Sequence, residues 1–274
     1  MKSLNPTQQA CLEAMGIDVW VSRDSAIVSE PVAEPIAKTE LSNEQKPESV
    51  SSQLTEHFPV DKTGINTLTP AINTEKNIRE SVVINIPKDW AGLKEMVVSC
   101  QNCSLHTARK NTVFGQGNEN ADWLIIGDVP TENDDLTGQP FTGLDGDLLT
   151  AMLRAMGLTR QQVYITNTLK CTPPNKREPE VAESESCMGY LKQQINLVKP
   201  KVILILGQSA AQRLLNTHST LARLRLKIHS LEELNIPIVV TFHPSSLLSM
   251  PVNKANAWQD LLFAQKTMLA DDIL

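Results

Sequence analysis

Four of the five cysteines in this 274-residue chain fall in one pattern: Cys100-x2-Cys103, then, after a long gap, Cys171-x15-Cys187. Thiolates are soft ligands, and four in one domain are enough to fill a tetrahedral zinc site or to hold an iron–sulfur cluster. Two tight Cys-x2-Cys knuckles would point to a zinc ribbon. Here the second pair is spread across a proline-bearing loop and into a helical pattern, which suits a larger ligand set. Spacing alone leaves zinc and iron–sulfur equally open. Cys11 stands outside the pattern and reads as an ordinary apolar helix residue.

The start of the chain, Met-Lys-Ser-Leu-Asn-Pro, has no apolar core of the kind a signal peptide needs. The cysteines are therefore expected to be reduced, which favours a metal site over disulfides. No apolar run approaches the ~20 residues that span a bilayer, so the expectation is a cytoplasmic protein without a membrane partner. Net charge is −6, a poor match for a nucleic-acid binder taken whole. The excess is uneven: residues 1–80 hold 7 basic and 12 acidic side chains, leaving 18 and 19 for the rest. A near-neutral domain can still present a basic face. Candidates are Lys170, Lys176 and Arg177, or Arg223, Arg225 and Lys227.

Three parts are expected: a short helical interaction segment at 1–23, a disordered linker at 24–82, and a folded domain at 83–274. The linker is rich in Ser, Thr, Glu, Pro and Asn and cannot bury enough apolar surface to offset its ordering entropy. In the domain, short apolar runs (Trp123–Ile126, Val163–Thr166, Val202–Leu206, Ile236–Thr241) alternate with helical patterns near 147–156, 181–198, 208–215 and 253–270. Such alternation predicts an α/β fold, a parallel sheet covered by helices on both faces. Ligands of such folds gather beyond the carboxyl ends of the strands, where this chain has Gly127-Asp128, Asn167, Gly207 and His243.

The runs Gly127-Asp-Val-Pro-Thr131, Gly138-Gln-Pro-Phe141-Thr-Gly143-Leu-Asp145-Gly146, Asn167-Thr-Leu-Lys-Cys171-Thr-Pro-Pro174 and His243-Pro-Ser-Ser-Leu-Leu248 occur in that order. Together with the cysteines they resemble the family-4 uracil-DNA glycosylases, the iron–sulfur branch of that superfamily, over roughly residues 93–269. The resemblance implies hydrolysis of the uracil–deoxyribose bond in uracil-containing DNA. It favours a [4Fe–4S] cluster over zinc on Cys100, Cys103, Cys171 and Cys187, acting as a staple. It implies catalytic roles for Asp128, on the sugar side, and His243, donating to uracil O2. Phe141 would stack on the base and Asn167 would read its Watson–Crick edge, since one amide pairs with O4 and N3–H at once. By the same resemblance, the Leu247-Leu248 pair would fall in the loop that wedges into the base stack.

Four positions depart from the family pattern. Asp128 is shorter than the usual glutamate by one C–C bond, about 1.5 Å, with Glu132, Asp134 and Asp135 nearby as acids that could help. Thr131 replaces a glycine and would be strained at positive φ. Asp145 replaces an alanine, and Ser249 an arginine that would meet phosphate. A second function class is a weakly active or inactive glycosylase-like adaptor. Residues 9–20 resemble the N-terminal segment of the ψ subunit of bacterial DNA polymerase III, which implies clamp-loader subunits as partners.

Overall fold

A computed structural model describes residues 86–231 and 234–271. The interaction segment at 1–23, with Cys11 and the ψ-like residues 9–20, and the linker at 24–82 lie outside the described residues. Six strands form one sheet: β1 (Gln116–Gly117), β2 (Trp123–Gly127), β3 (Val163–Asn167), β4 (Val202–Leu206), β5 (His229–Leu231) and β6 (Leu234–Thr241). Their order is β1-β3-β2-β4-β6-β5. The inner four run parallel, as the alternating pattern predicts. Both edge strands are antiparallel, so the sheet is mixed rather than purely parallel. With two and three residues, β1 and β5 are too short to carry a period-2 signal.

Every residue of β2, β3 and β4 is buried, which requires cover on both faces. Near-continuous apolar runs such as Val202-Ile-Leu-Ile-Leu206 are what that demands. On one face Ile125, Leu204 and Val239 meet α3 (Leu144–Ala155) through Leu149 and Met152, and α8 (Lys254–Asp271) through Leu261 and Ala264. On the other, Leu124, Ile203 and Ile205 pack on α4 (Val181–Val198) through Leu191 and Ile195, and on α5 (Gln208–Leu215) through Ala210 and Leu214. Helices α1 (Trp90–Val98), α2 (Glu132–Thr137), α6 (Leu221–Leu224) and α7 (Pro244–Ser249) complete the described part.

Register then places the site. Gly127 pairs with Asn167, and Leu206 with Thr241, so the residues that follow these strands emerge along one edge of the sheet. The end of β6 is fixed from α8: Asp260, fully buried, accepts from Thr241 Oγ1 (2.9 Å) and from Arg225 Nε (2.7 Å). Arg225 also donates to Asn256 O and lies 4.7 Å from the Phe242 ring centroid. The basic alternation at Arg223, Arg225 and Lys227 is therefore split. Arg225 is committed to the interior, while Arg223 and Lys227 are exposed. Removing one partner of a buried ion pair leaves the other charge stranded. Asp260→Ala should cost about 3–5 kcal/mol, seen as a lower denaturant midpoint at unchanged slope.

Candidate active site and thiol cluster

A cleft of about 610 Å³ opens at the carboxyl ends of the strands, lined among others by Asp128, Asp145, Gly207 and His243. Asn167 and Phe141 are buried, 1% and 4% exposed, and do not themselves line the cleft. Gly127 brings them together. A Cβ on Gly127 would stand about 2.5 Å from Phe141 Cζ and would also collide with Asn167 Oδ1, so only glycine lets this strand end approach both. Neither Oδ1 nor Nδ2 of Asn167 has a hydrogen-bond partner. A buried amide left with both ends unmet is rare and calls for a specific explanation. Phe141 itself sits at φ +56°, a conformation that costs a non-glycine residue on the order of 1 kcal/mol. Its ring faces His243, with centroids 5.5 Å apart and planes tilted by 31°.

His243 caps α7 with its side chain. Nδ1 accepts from the Ser245 backbone N–H (3.2 Å) and lies 2.7 Å from Ser245 Oγ. An Nδ1 that accepts carries no proton, so the ring proton is on Nε2. Desolvation pushes the His243 pKa down to about 4, with Asp134 pulling weakly the other way. The imidazole is neutral at physiological pH and presents one N–H donor.

The carboxylates near the cleft divide into free and committed. Asp128 Oδ1 is ion-paired to Arg213 Nη1 from α5, and Arg213 Nη2 holds Glu178 at 3.1 Å. Asp134 is 2% exposed and accepts from Thr131 N, Thr142 N and Thr142 Oγ1. Asp135 accepts from the backbone of Lys110 and Asn111. Both hold loops and neither is available to assist Asp128; Glu132 is exposed at the rim. Thr131 is unstrained, because φ is −83° and it caps α2 in a reciprocal box with Asp134. Asp145 opens α3, lines the cleft, and accepts from the Gly146 N–H at 3.0 Å.

The four cysteines of the sequence pattern gather on the other side of β3's exit. Cys171 and Cys187 are buried with Leu105 and Leu169, and Cys103 packs against them. Cys100 lies within electrostatic reach of Cys103 and Cys171. Arg109 Nη1 donates to Cys171 Sγ (3.2 Å), and its Nη2 to Cys100 O (2.8 Å). Burial pushes the Cys187 thiol up to about 11. A buried donor set of thiols needs positive charge to ionise, and such a set suits a metal group. Among the described residues, no three His, Cys, Asp or Glu side chains converge as one metal ion requires. Glu183 steadies the surrounding loops by accepting from Ser104 Oγ and pairing with Arg177, which holds its pKa down to about 2.

Lys170, expected on a basic surface, is instead 1% exposed. Its Nζ bonds Thr166 Oγ1, Asn167 O and Gln194 Oε1 at 2.6–2.8 Å. Flanking Leu169 and Cys171 were the signal for burial. Nothing in the local sequence of α5 marks Arg213 as a partner for Asp128.

The sequence model of the uracil DNA glycosylase superfamily matches residues 114–262. The type-4 uracil-DNA glycosylase of Archaeoglobus fulgidus is 40% identical over 161 residues, covering 57% of this chain and 81% of that protein. That of Thermotoga maritima is 38% identical over 157 residues, with coverages of 57% and 81%. The chain belongs to the type-4 uracil-DNA glycosylases. A type-5 uracil-DNA glycosylase of Pyrobaculum aerophilum is more distant, 23% identical over 196 residues, or 60% of this chain and 86% of that one. The family match begins at residue 114 and does not reach residues 9–20.

Seen as a type-4 glycosylase, the chain differs from the sequence-based expectation at its α7 loop. Leu247 is 1% exposed and belongs to the core under α3, so of the Leu-Leu pair only Leu248 faces solvent. Ser249 turns back onto Ser245 O (3.1 Å). The charge state of His243 gives a direct test. In NMR its imidazole should titrate near pH 4 and keep the Nε2–H tautomer at pH 6; a midpoint near 6.5 would contradict the site's electrostatics.

Proposed function

We propose that this chain hydrolyses the N-glycosidic bond between uracil and deoxyribose in DNA, as the first step of base-excision repair. The observation that carries the reading is the unpartnered, buried amide of Asn167 beside the Phe141 ring. Uracil offers an acceptor at O4 and a donor at N3–H, which that one amide meets together. Cytosine presents the opposite pattern and would leave the amide unmatched. Phe141 gives the flipped base a face, a contact worth about 1–3 kcal/mol.

Bond cleavage puts negative charge on the departing base and positive charge on the sugar. The neutral His243 Nε2–H is suited to uracil O2, and its Nδ1 bond to Ser245 fixes the ring beforehand, so no reorganisation is needed as charge develops. The sugar side calls for a carboxylate, and the cleft offers Asp128 and Asp145. Residues 83–274 are the part that carries this chemistry.

Cys100, Cys103, Cys171 and Cys187 would hold a [4Fe–4S] cluster whose contribution is structural: it ties the segment before β1 to the loop after β3 and to α4. Support comes from the all-thiol donor set, with Cys171 and Cys187 buried and Cys100 and Cys103 half-buried, from its apolar wall and from Arg109 against Cys171, together with the family. Anaerobically purified protein should be brown, with about four iron and four sulfide per chain, as a [4Fe–4S] cluster requires. Colourless protein with one zinc would contradict the cluster.

Uracil release from a labelled oligonucleotide by pure, iron-loaded protein tests the activity. Release is expected, and His243→Ala should slow it by about 10²–10³-fold, the scale for losing one transition-state donor. No release at single-turnover enzyme excess would end the proposal and leave the adaptor reading.

A further inference from the structure

We propose that Asp145, rather than Asp128, is the carboxylate that serves the sugar side of this active site. The inference rests on the glycosylase reading above and deepens it. Asp128 stands where the motif puts the acid, but its Oδ1 is occupied by the Arg213 guanidinium. The backbone on either side is fixed as well: Asp128 O accepts from Thr168 N, Thr168 Oγ1 and Leu169 N. A carboxylate neutralised by an adjacent guanidinium does little for a cationic sugar, and the guanidinium itself opposes that charge. Arg213 is further held by Glu178, so the pair is anchored at both ends.

Asp145 meets the opposite conditions. It lines the same cleft as His243, is half-buried there, and makes no ion pair among the described residues. It is hydrogen-bonded by backbone N–H groups in the first turn of α3, Gly146 N–H among them at 3.0 Å, which orient the carboxylate without neutralising it. Arg160 lies within electrostatic reach and draws the carboxyl slightly down, but its guanidinium hydrogen-bonds Pro140 O, Gly146 O and Thr150 Oγ1 rather than Asp145. Burial and the nearby Asp134 raise the Asp145 pKa, the direction that makes a carboxylate a better proton acceptor. The other acids at the cleft do not compete: Glu132 is exposed, and Glu178 is exposed and bound to Arg213.

In the step this implies, the C1′–N1 bond breaks and its electron pair leaves with uracil, where His243 Nε2–H meets O2. A water oxygen bonds to C1′, and the proton it loses passes to the Asp145 carboxylate. Solvent later protonates the uracil anion.

The test is single-turnover uracil release from a single-stranded oligonucleotide by full-length, iron-loaded protein. Visible absorbance and melting temperature establish that each variant is folded and loaded. Asp145→Asn, which keeps the shape, should slow release by about 10²–10⁴-fold, the range for a positioned base, with oligonucleotide affinity little changed. Asp128→Asn should slow it far less. Formate should restore part of the rate to Asp145→Ala and none to Asp128→Ala. An Asp145→Ala protein as fast as the wild type or faster would overturn the proposal and make this acid a repeller of DNA. Loss without formate rescue would reduce Asp145 to a positioning role, also against the proposal. If wild-type protein releases no uracil, the glycosylase reading itself fails before any variant is compared.

Discussion

An ammonium group enclosed by protein holds the end of β3 in place. Lys170 Nζ is bound by a hydroxyl, a backbone carbonyl and a side-chain amide, from Thr166, Asn167 and Gln194. Gln194 in turn donates to Phe114 O, and Thr166 Oγ1 shares that acceptor. Burial pushes the Lys170 pKa down to about 7, and negative charge on Cys187 and Cys171, where they are ionised, acts the other way. A charge taken so far from water is tolerated only where its hydrogen bonds are met. The consequence is positional. Asn167 precedes this lysine and Cys171 follows it, so one anchor fixes both the amide under the cleft and a thiol of the cysteine group.

The remaining site residues are set by the ends of the neighbouring strands. Gly127 at the end of β2 lets Phe141 and Asn167 come close. Asp260 grips Thr241, two residues before His243, and Ser245 fixes the imidazole. Asp134, which looks like a spare catalytic acid, ties the start of α2 to Thr142 beside Phe141. Prior hydrogen bonds thus hold the His243 ring and the Asn167 backbone before any substrate arrives, which is the arrangement electrostatic catalysis needs.

Much of this was legible in the sequence, because the inner strands are continuous apolar runs and the motifs follow them directly. The helical pattern at 181–198 predicts α4, which spans Val181–Val198. The cysteine pattern and Asn167 also stood out, since thiols and a strand-end amide carry chemistry at sight. What escaped was decided by contacts distant in sequence. Helix α2, six residues long, depends on the Thr131–Asp134 box and on Thr142 rather than on its own periodicity. Lys170 counts as surface charge until Gln194, on a different helix, is placed against it. Arg213 and Asp128 are joined only when α5 packs beside β2. Asp145 looks like a simple departure from a motif until the structure places it in the cleft with His243.

The central claim is that Asn167 waits, unpaired and fixed, for the edge of one base. A crystal structure of the iron-loaded protein with free uracil tests it most directly. The account predicts uracil stacked on Phe141, with Asn167 Oδ1 at N3 and Nδ2 at O4 at ordinary hydrogen-bond distances of about 2.9 Å, and His243 Nε2 at O2. Uracil bound elsewhere, or an Asn167 amide still without partners when the cleft is filled, would contradict it.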